Sequence, residues 1–360
     1  MNNTTERVLL ITPSIHMGGM QNAMVNLANG FAIAGLKVEM YALFKLEHFF
    51  KLDNRVQFSE SPKPPECYNV MTRMISILTN VRKVIKKSDS QTVIVYGKFY
   101  SALTLLASLG LKKRIFISDR VSPLYKDPLY VELITSMIYF FIMPAGIIAQ
   151  TNISATCQRQ RFRNDLPIEV IPNPVREINH YDYEKEKKVL AVGRFGDYLK
   201  GFDRLIEAWG KVDAPDWKLV FAGGFESDDP ALGKRAKALK VYDTIVFSGK
   251  VNNIDELYAR SSIFVIPSRS EGFPNALAEA MSAGLACVSF DFIAGPRDMI
   301  RDGYNGYLVT SGDIDALANK IQYLIEHEAE RKTVSHNATE IKDVLSLERI
   351  IQQHINFIFV

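Results

Sequence analysis

Short apolar runs alternate with helical stretches along most of this 360-residue chain, and this alternation constrains the fold more than any other feature. Strands separated by helices are typical of parallel βαβ units. The pattern therefore predicts an α/β protein with two Rossmann-like, doubly wound domains. The predicted strands are Arg7–Thr12, Val38–Leu43, Thr92–Tyr96, Arg114–Ser118, Gly146–Gln150 and Ile168–Ile171 in a first series, and Val189–Val192, Lys218–Ala222, Thr244–Phe247, Ile263–Ile266 and Ala286–Ser289 in a second.

Length and composition agree with two soluble domains. The chain exceeds the size of one ordinary core, and its 47% hydrophobic and 23% charged residues are typical of globular proteins. We place the first domain at 1–175, a polar linker at 176–188, the second domain at 189–345 and a C-terminal helix at 346–360. The start of the chain lacks a basic segment followed by an apolar core, and the three cysteines are isolated, so we expect a cytoplasmic protein without a secretory signal or a disulfide framework.

The segment from Pro267 to Gly284 has the residues of a strand-to-helix corner. Glu271 follows the last predicted strand of this region, and Glu279 lies eight residues later on the predicted helix Pro274–Ala283. Both carboxylates are expected to face one crevice, together with free backbone N–H groups at the start of the helix. The residues of this helix start are Gly272, Phe273, Pro274 and Asn275. Such a corner suits a ligand that carries both sugar hydroxyls and phosphate.

Two further segments have residues suited to phosphate binding. Arg194 and Lys200 follow the strand Val189–Val192, and a guanidinium and an ammonium group both stabilise a diphosphate. A surface ion pair is the alternative for Arg194. Gly18 and Gly19 follow the first strand and permit close approach of the backbone to a phosphate, although many tight turns contain such a pair.

Taken together, these motifs resemble those of the retaining glycosyltransferases of family 4, which have the GT-B fold and include bacterial enzymes of cell-surface glycan assembly. Glu271 and Glu279 match the two glutamates of the family motif, and Arg194 and Lys200 match its diphosphate-binding pair. The spacing between Arg194 and Lys200 is one residue longer than in the commoner family pattern. The resemblance covers about residues 7–330 and implies two Rossmann-like domains that face each other across a cleft.

The resemblance also implies roles for these residues. Arg194 and Lys200 would stabilise the leaving diphosphate, Glu271 would orient the transferred sugar, and Glu279 would contact the ribose of the nucleotide. The first domain would bind the acceptor. Catalysis would retain configuration by attack on the face from which the phosphate leaves, so that no dedicated base is required.

Arg120 departs from the family pattern. It lies in the segment Ile117–Pro123, where many relatives have a histidine that touches substrate. An arginine is no general base at neutral pH, but it binds a phosphate or a sugar hydroxyl, so Arg120 is a candidate substrate-binding residue. The lone His16 near the glycine pair is either incidental or in reach of the cleft. No Asp-x-Asp motif is present, and we expect neither a cofactor nor a required divalent metal.

Two segments bear on a membrane partner. The predicted helix around Arg73–Lys87 has a basic face that is either a contact for anionic lipid or a solvated surface. The apolar segment Leu133–Ile148 is shorter than a membrane span and contains Pro144, so we predict a buried helix that ends before Pro144, followed by a strand. Family members often act on lipid-linked acceptors, which favours a peripheral location on the inner face of the cell membrane.

The sequence therefore predicts a retaining, metal-independent glycosyltransferase. Its partners would be a UDP-sugar that donates a hexose or N-acetylhexosamine and a saccharide acceptor, lipid-linked or free, in polysaccharide, lipopolysaccharide or capsule biosynthesis. No nucleic-acid partner is expected. The alternatives are a sugar-nucleotide epimerase or a polymerase on the same fold, and a catalytically silent subunit that binds a nucleotide sugar or a partner protein.

Overall fold

The computed structural model describes residues 6–122, 125–162 and 165–359. The first five residues, and Pro123 of the segment around Arg120, lie outside these ranges. By its internal contacts the chain divides into two units, residues 1–174 with 347–360, and residues 175–346.

Unit 1 has a parallel sheet of seven strands, in the order β3-β2-β1-β4-β5-β6-β7. The strands are β1 (Arg7–Thr12), β2 (Lys37–Ala42), β3 (Gln57–Glu60), β4 (Thr92–Tyr96), β5 (Arg114–Ser118), β6 (Gly146–Ala149) and β7 (Ile168–Val170). The helices are α1 (Gly19–Ile33), α2 (Val70–Lys87), α3 (Lys98–Ala107), α4 (Leu129–Phe141) and α5 (Asn152–Arg161), together with the C-terminal helix described below. The central strands are apolar and buried on both faces, as parallel sheets covered by helices require.

Unit 2 has a parallel sheet of six strands, in the order β10-β9-β8-β11-β12-β13. The strands are β8 (Glu186–Val192), β9 (Lys218–Ala222), β10 (Ile245–Phe247), β11 (Ser261–Ile266), β12 (Ala286–Asp291) and β13 (Tyr307–Thr310). The helices are α6 (Phe202–Trp209), α7 (Pro230–Ala238), α8 (Ile254–Arg260), α9 (Asn275–Ser282), α10 (Pro296–Met299), α11 (Ile314–Glu326), α12 (Glu328–Ala338) and α13 (Ile341–Val344). In both sheets the strand order reverses between two central strands, β1 and β4 in unit 1 and β8 and β11 in unit 2.

The last helix, α14 (Leu347–Ile358), packs with unit 1 although it follows unit 2 in the chain. Its Ile351 fills the space above Gly30 of α1, where a Cβ atom would come within 2.4 Å. The Phe357 ring lies edge-on to Phe116 of β5, at 5.4 Å between centroids. These contacts cover an apolar surface of the first sheet.

Three segments differ from the sequence prediction. Strands β3 and β13 were not predicted, because Gln57–Glu60 contains few apolar residues and Tyr307–Thr310 follows a turn-rich loop. Residues 176–188, expected to be a linker, group with unit 2. Arg176 and Asn179 bind Asp255 there, and strand β8 begins within the segment.

Helix α4 also differs from the prediction. It ends before Pro144 and strand β6 follows, as the sequence predicts. The prediction that it is buried is wrong for one face, since Leu133, Met137, Phe140 and Phe141 are all exposed. The segment is apolar nearly throughout, so its sequence contains no polar face that would have marked the exposed side.

Candidate active site

The two neighbouring strands at the centre of the second sheet bring the main site residues together. Strands β8 and β11 are paired, and both end at the same edge of the sheet. The loop with Arg194 and Lys200 follows β8, and the loop with Glu271 follows β11. The strand order reverses at this pair, and ligands of open parallel sheets bind outside the carboxyl ends of strands at such a reversal.

Lys200 and Glu271 form an ion pair in this crevice. The Lys200 ammonium lies 2.9 Å from one carboxylate oxygen of Glu271 and 3.0 Å from the other. The Ser268 hydroxyl donates a hydrogen bond of 2.7 Å to the first oxygen. The side chains of Lys200 and Glu271 are 24% and 14% exposed, so each retains access to solvent. Either group can therefore exchange this contact for a ligand.

Gly201 and Arg269 hold the loop of Lys200 against the loop of Glu271. Gly201 has a φ of +68°, and a Cβ atom there would lie 2.0 Å from the carbonyl oxygen of Pro267. The backbone N–H of Arg269 donates to the carbonyl of Leu199 at 2.8 Å. The Arg269 guanidinium binds both carboxylate oxygens of Asp203, at 2.7 and 2.6 Å. The position of Lys200 is thus fixed by the backbone on both sides of it.

Arg194 is a second cation at this edge of the sheet. It is exposed, and within the ranges that the structure describes its side chain has no hydrogen bond or ion pair. The surface ion pair weighed as an alternative is therefore not formed with a described residue. The aliphatic part of Lys200 passes close to Gly193, where a Cβ atom would come within 3.1 Å of it. Arg194 consequently remains available for an anion near Lys200.

The loop directly before α9 supplies backbone donors beside Glu271. The N–H groups of Gly272 and Phe273 have no acceptor among the described residues. The N–H of Asn275 donates to the carbonyl of Phe273 at 2.9 Å, so it is not free, contrary to expectation. Pro274 is the N-cap residue, directly before α9, whereas the sequence predicts it as the first residue of the helix. Two unpaired donors and the positive end of the helix dipole suit a negatively charged ligand.

Glu279 belongs to a buried network that sequence reasoning missed. Its carboxylate accepts from the Arg176 guanidinium, at 3.2 and 3.3 Å, and from the Tyr258 hydroxyl at 3.2 Å. Arg176 also binds Asp255. Burial raises the pKa of Glu279 and Arg176 opposes this effect. Arg176 lies about a hundred residues from Glu279 in a polar segment, and nothing in its local sequence indicates this contact.

In unit 1, Gly18 and Gly19 lie at the start of α1, directly after the loop that follows β1. Gly19 faces open space, because a Cβ atom built there has no neighbour within 4 Å. No side chain caps the helix, and its first turn contains no acidic residue. The nearby His16 ring contacts the carbonyl of Glu47 at 3.2 Å.

Arg120 is buried in unit 1 and binds other residues of that unit. Its guanidinium donates to the Asn173 side chain at 2.7 Å and to the Tyr96 hydroxyl at 2.5 Å, and it lies 4.0 Å from the centre of the Tyr96 ring. Burial lowers the pKa of Arg120. The predicted direct contact with substrate does not fit this buried position. Arg120 instead fixes Asn173 and Tyr96.

The described residues contain no cluster of three histidine, cysteine or acidic side chains that would suit a metal ion. Asp291, an acidic residue at the end of β12, binds the Arg297 guanidinium at 2.7 and 2.8 Å. That the reaction needs no divalent metal stays a prediction.

Comparison with known proteins points to one class of enzyme. Residues 177–341 match the family model "Glycosyl transferases group 1". The chain is 26% identical over 340 residues to an uncharacterised glycosyltransferase of Haemophilus influenzae, covering 93% of this chain and 95% of that protein. It is 25% identical over 341 residues to an α-1,4-N-acetyl-D-galactosaminyltransferase of Campylobacter jejuni, covering 93% of each; the name of that enzyme gives a diphosphoundecaprenol-linked saccharide as its acceptor. The chain is therefore similar to bacterial glycosyltransferases over nearly its whole length, and most of its second unit matches the group 1 family model.

Solved structures support the fold. The structure of TarM is similar over 99% of both chains, with a TM-score of 0.83 and 16% identity. A TarM variant of Staphylococcus aureus, in complex with fondaparinux, α-GlcNAc-glycerol and UDP, is similar over 99% of this chain and all of its own, with a TM-score of 0.80 and 15% identity. The chain therefore has the two Rossmann-like units of the GT-B fold.

Proposed function

We propose that this protein is a retaining, metal-independent glycosyltransferase that moves a hexose or N-acetylhexosamine from a UDP-sugar to a lipid-linked saccharide in cell-surface glycan assembly. The observation that carries the proposal is the arrangement at the ends of β8 and β11. The paired Lys200 and Glu271 lie at one edge of the sheet with Arg194 and with the N–H groups of Gly272 and Phe273 just before α9. Arg194 and these two N–H groups have no partner among the described residues. This set of groups suits a diphosphate bonded to a sugar.

The diphosphate is the part of the sugar nucleotide that most requires stabilisation by positive charge. When the bond between sugar and phosphate breaks, negative charge accumulates on the leaving diphosphate. Each fixed hydrogen-bond donor aimed at that charge stabilises the transition state by about 3 kcal/mol in a water-poor site. Arg194 and Lys200 supply positive charge, and Gly272 and Phe273 supply backbone donors. Lys200 exchanges Glu271 for a phosphate oxygen as the donor binds.

Release from Lys200 leaves Glu271 free to act on the sugar. Its carboxylate then accepts hydrogen bonds from sugar hydroxyls, while Ser268 keeps one oxygen in place. Glu279 accepts from the ribose hydroxyls and is held by Arg176. The acceptor hydroxyl attacks on the face from which the phosphate leaves, and the phosphate takes its proton. Configuration is thereby retained without a protein base.

The choice of UDP and of a lipid-linked acceptor draws on the relatives. The TarM variant was solved with UDP, and the Campylobacter enzyme is named for an acceptor carried on undecaprenol. We propose that this chain uses the same nucleotide and an acceptor of the same kind. The enzyme would then act in the cytoplasm, at the inner face of the cell membrane.

A panel of donors tests the proposal. The purified protein is incubated with UDP-, GDP- and ADP-sugars, with membrane lipid extract as acceptor source and with or without EDTA, and nucleoside diphosphate release is measured. We expect release from one UDP-sugar at the same rate with and without EDTA, and release at least about a hundredfold slower from Glu271→Gln. Binding of a UDP-sugar without release in the presence of lipid extract would instead indicate a silent subunit. Release abolished by EDTA would contradict metal independence.

A further inference from the structure

Helix α4 of unit 1 presents large apolar side chains to solvent. Phe140, Phe141 and Leu129 are 82%, 76% and 74% exposed. The apolar face of α4 consists of Leu129, Tyr130, Leu133, Met137, Phe140 and Phe141. Their spacing of three, four and seven residues places most of them on one side of the helix. A continuous exposed apolar surface of this kind marks a contact with another molecule or with a membrane.

The opposite side of α4 is fixed to unit 1. Val131, Thr135, Ile138 and Tyr139 are buried. Glu132, the only charged residue of the helix, binds Lys98 of α3 and Arg161 of α5. The charged group therefore contacts the protein while the apolar groups face outward, and the two ion pairs stabilise this orientation.

Exposed basic residues lie before α4 and on a second helix of unit 1. Lys126, three residues before the helix, is exposed, as is Tyr125 beside it. Helix α3 packs against both α4 and α2, and the last two turns of α2 present exposed Lys83, Lys86 and Lys87. Unit 1 as a whole has 21 Lys/Arg against 13 Asp/Glu, a net charge of +8, whereas unit 2 has 22 against 27, a net charge of −5.

We propose that α4 binds an anionic lipid bilayer by inserting its apolar face into the headgroup region, with the basic side chains of unit 1 contacting lipid headgroups. Aromatic and aliphatic side chains on one face, with lysines nearby, are typical of interfacial helices. At 13 residues the helix is roughly 20 Å long, less than the ~30 Å core of a bilayer, so it lies in the membrane surface. In the described ranges no helix is long and apolar enough to cross a membrane.

Charge favours a bilayer over a second copy of the chain. Two copies that met through α4 would bring two units of +8 together, whereas an anionic bilayer attracts that charge. The inference does not depend on the donor or on the reaction. Binding of UDP to unit 2 is measured without lipid, so failure of one proposal is distinguishable from failure of the other.

Vesicle binding tests the proposal. The full chain is titrated with vesicles of 30% phosphatidylglycerol in phosphatidylcholine, and with pure phosphatidylcholine. The test variant is Phe140→Ser with Phe141→Ser, and the matched control is Ile33→Ser, which changes an apolar residue of α1 that is 61% exposed. All positions are exposed, so thermal midpoints should stay unchanged. We expect the test variant to bind the anionic vesicles at least about tenfold more weakly and the control to bind like wild type.

Two results would overturn the proposal. One is undiminished vesicle binding by the Phe140→Ser, Phe141→Ser variant, which would assign any binding to charge alone. The other is a dimer in lipid-free buffer, seen by light scattering, that this variant loses and the Ile33→Ser control keeps. That result would make the apolar face of α4 an interface between two copies of the chain.

Discussion

Lys200 and Glu271 lie 71 residues apart in the chain, and their charged groups meet at 2.9 and 3.0 Å. The resemblance assigns Lys200 to the phosphate and Glu271 to the sugar. Ser268 and the backbone around Gly201 hold the two side chains in position. In the proposed function a donor that binds to both groups separates them.

Replacing Glu271 by Gln should separate binding from transfer. Gln removes the charge that holds Lys200, so UDP affinity should stay the same or increase. Transfer should fall at least about a hundredfold, because a neutral amide with one acceptor oxygen replaces the carboxylate that binds the sugar hydroxyls. Calorimetric titration with UDP and a release assay measure the two effects. Near wild-type turnover would remove Glu271 from the mechanism.

Replacing Arg194 by Ala should weaken binding of the nucleotide without destabilising the fold. Arg194 has no partner among the described residues, so the free energy of unfolding should change by less than about 0.5 kcal/mol. UDP affinity should fall at least about tenfold, or 1.4 kcal/mol. Lys234→Ala on α7 is the matched control, an exposed cation that should leave UDP affinity unchanged. Equal affinity of Arg194→Ala and wild type would place the diphosphate elsewhere.

Replacing Gly201 by Ala should displace Lys200. The new Cβ atom would clash with the Pro267 carbonyl and the positive φ would be strained, so we expect a loss of at least about 1 kcal/mol in stability together with weaker UDP binding. Gly303→Ala is the control, because Gly303 has a similar φ of +74° but open space around it. If both variants bind UDP equally well, contact with Pro267 does not position Lys200.

Replacing Arg176 by Met should leave Asp255 and Glu279 without their cation. Arg176 is 31% exposed, so we expect a cost of about 2 kcal/mol, below that of a fully buried pair. Urea unfolding measures this change. Arg176→Lys keeps the charge and should recover part of the stability. A Met variant as stable as wild type would show that the network contributes little.

His354 should make unit 1 sensitive to acid. Burial lowers its pKa to about 3, whereas an unfolded histidine has a pKa near 6.5. Because the unfolded chain binds the extra proton, stability is complete above about pH 6.5 and falls by about 1.4 kcal/mol per pH unit below it. His354→Leu should remove this contribution.

Burial raises the pKa of Asp119 to about 6, and this shift changes stability in the opposite direction between about pH 4 and 6. The quantity to measure is therefore the difference in stability between His354→Leu and wild type at each pH. Parallel stability curves for the two proteins would contradict a neutral buried His354.

The sequence predicted the strands that form the centre of each sheet, because their residues are continuously apolar. It missed the edge strands β3 and β13, whose residues are more polar or follow turns. Arg194, Lys200 and Glu271 were predicted as a set from their motifs. The contact between Lys200 and Glu271 depends on the pairing of β8 with β11, which no local pattern encodes.

Neither the role of Arg176 nor the orientation of α4 could be predicted, and the reasons differ. Arg176 meets Glu279 across 103 positions of the chain, and its neighbours in sequence are those of a polar loop. The sequence of α4 is apolar on nearly every side, so only tertiary packing decides which side is exposed. Arg120 was predicted from its position in the motif, while its burial depends on Tyr96 and Asn173.

Titration of UDP into wild-type protein and into Lys200→Met is the most direct test of the account. The two proteins should be equally stable to within about 1 kcal/mol, because the pair is partly exposed. We predict that wild type binds UDP in the presence of EDTA and that Lys200→Met binds it at least about tenfold more weakly. Equal affinities would contradict the claim that the Lys200–Glu271 pair opens to receive the diphosphate.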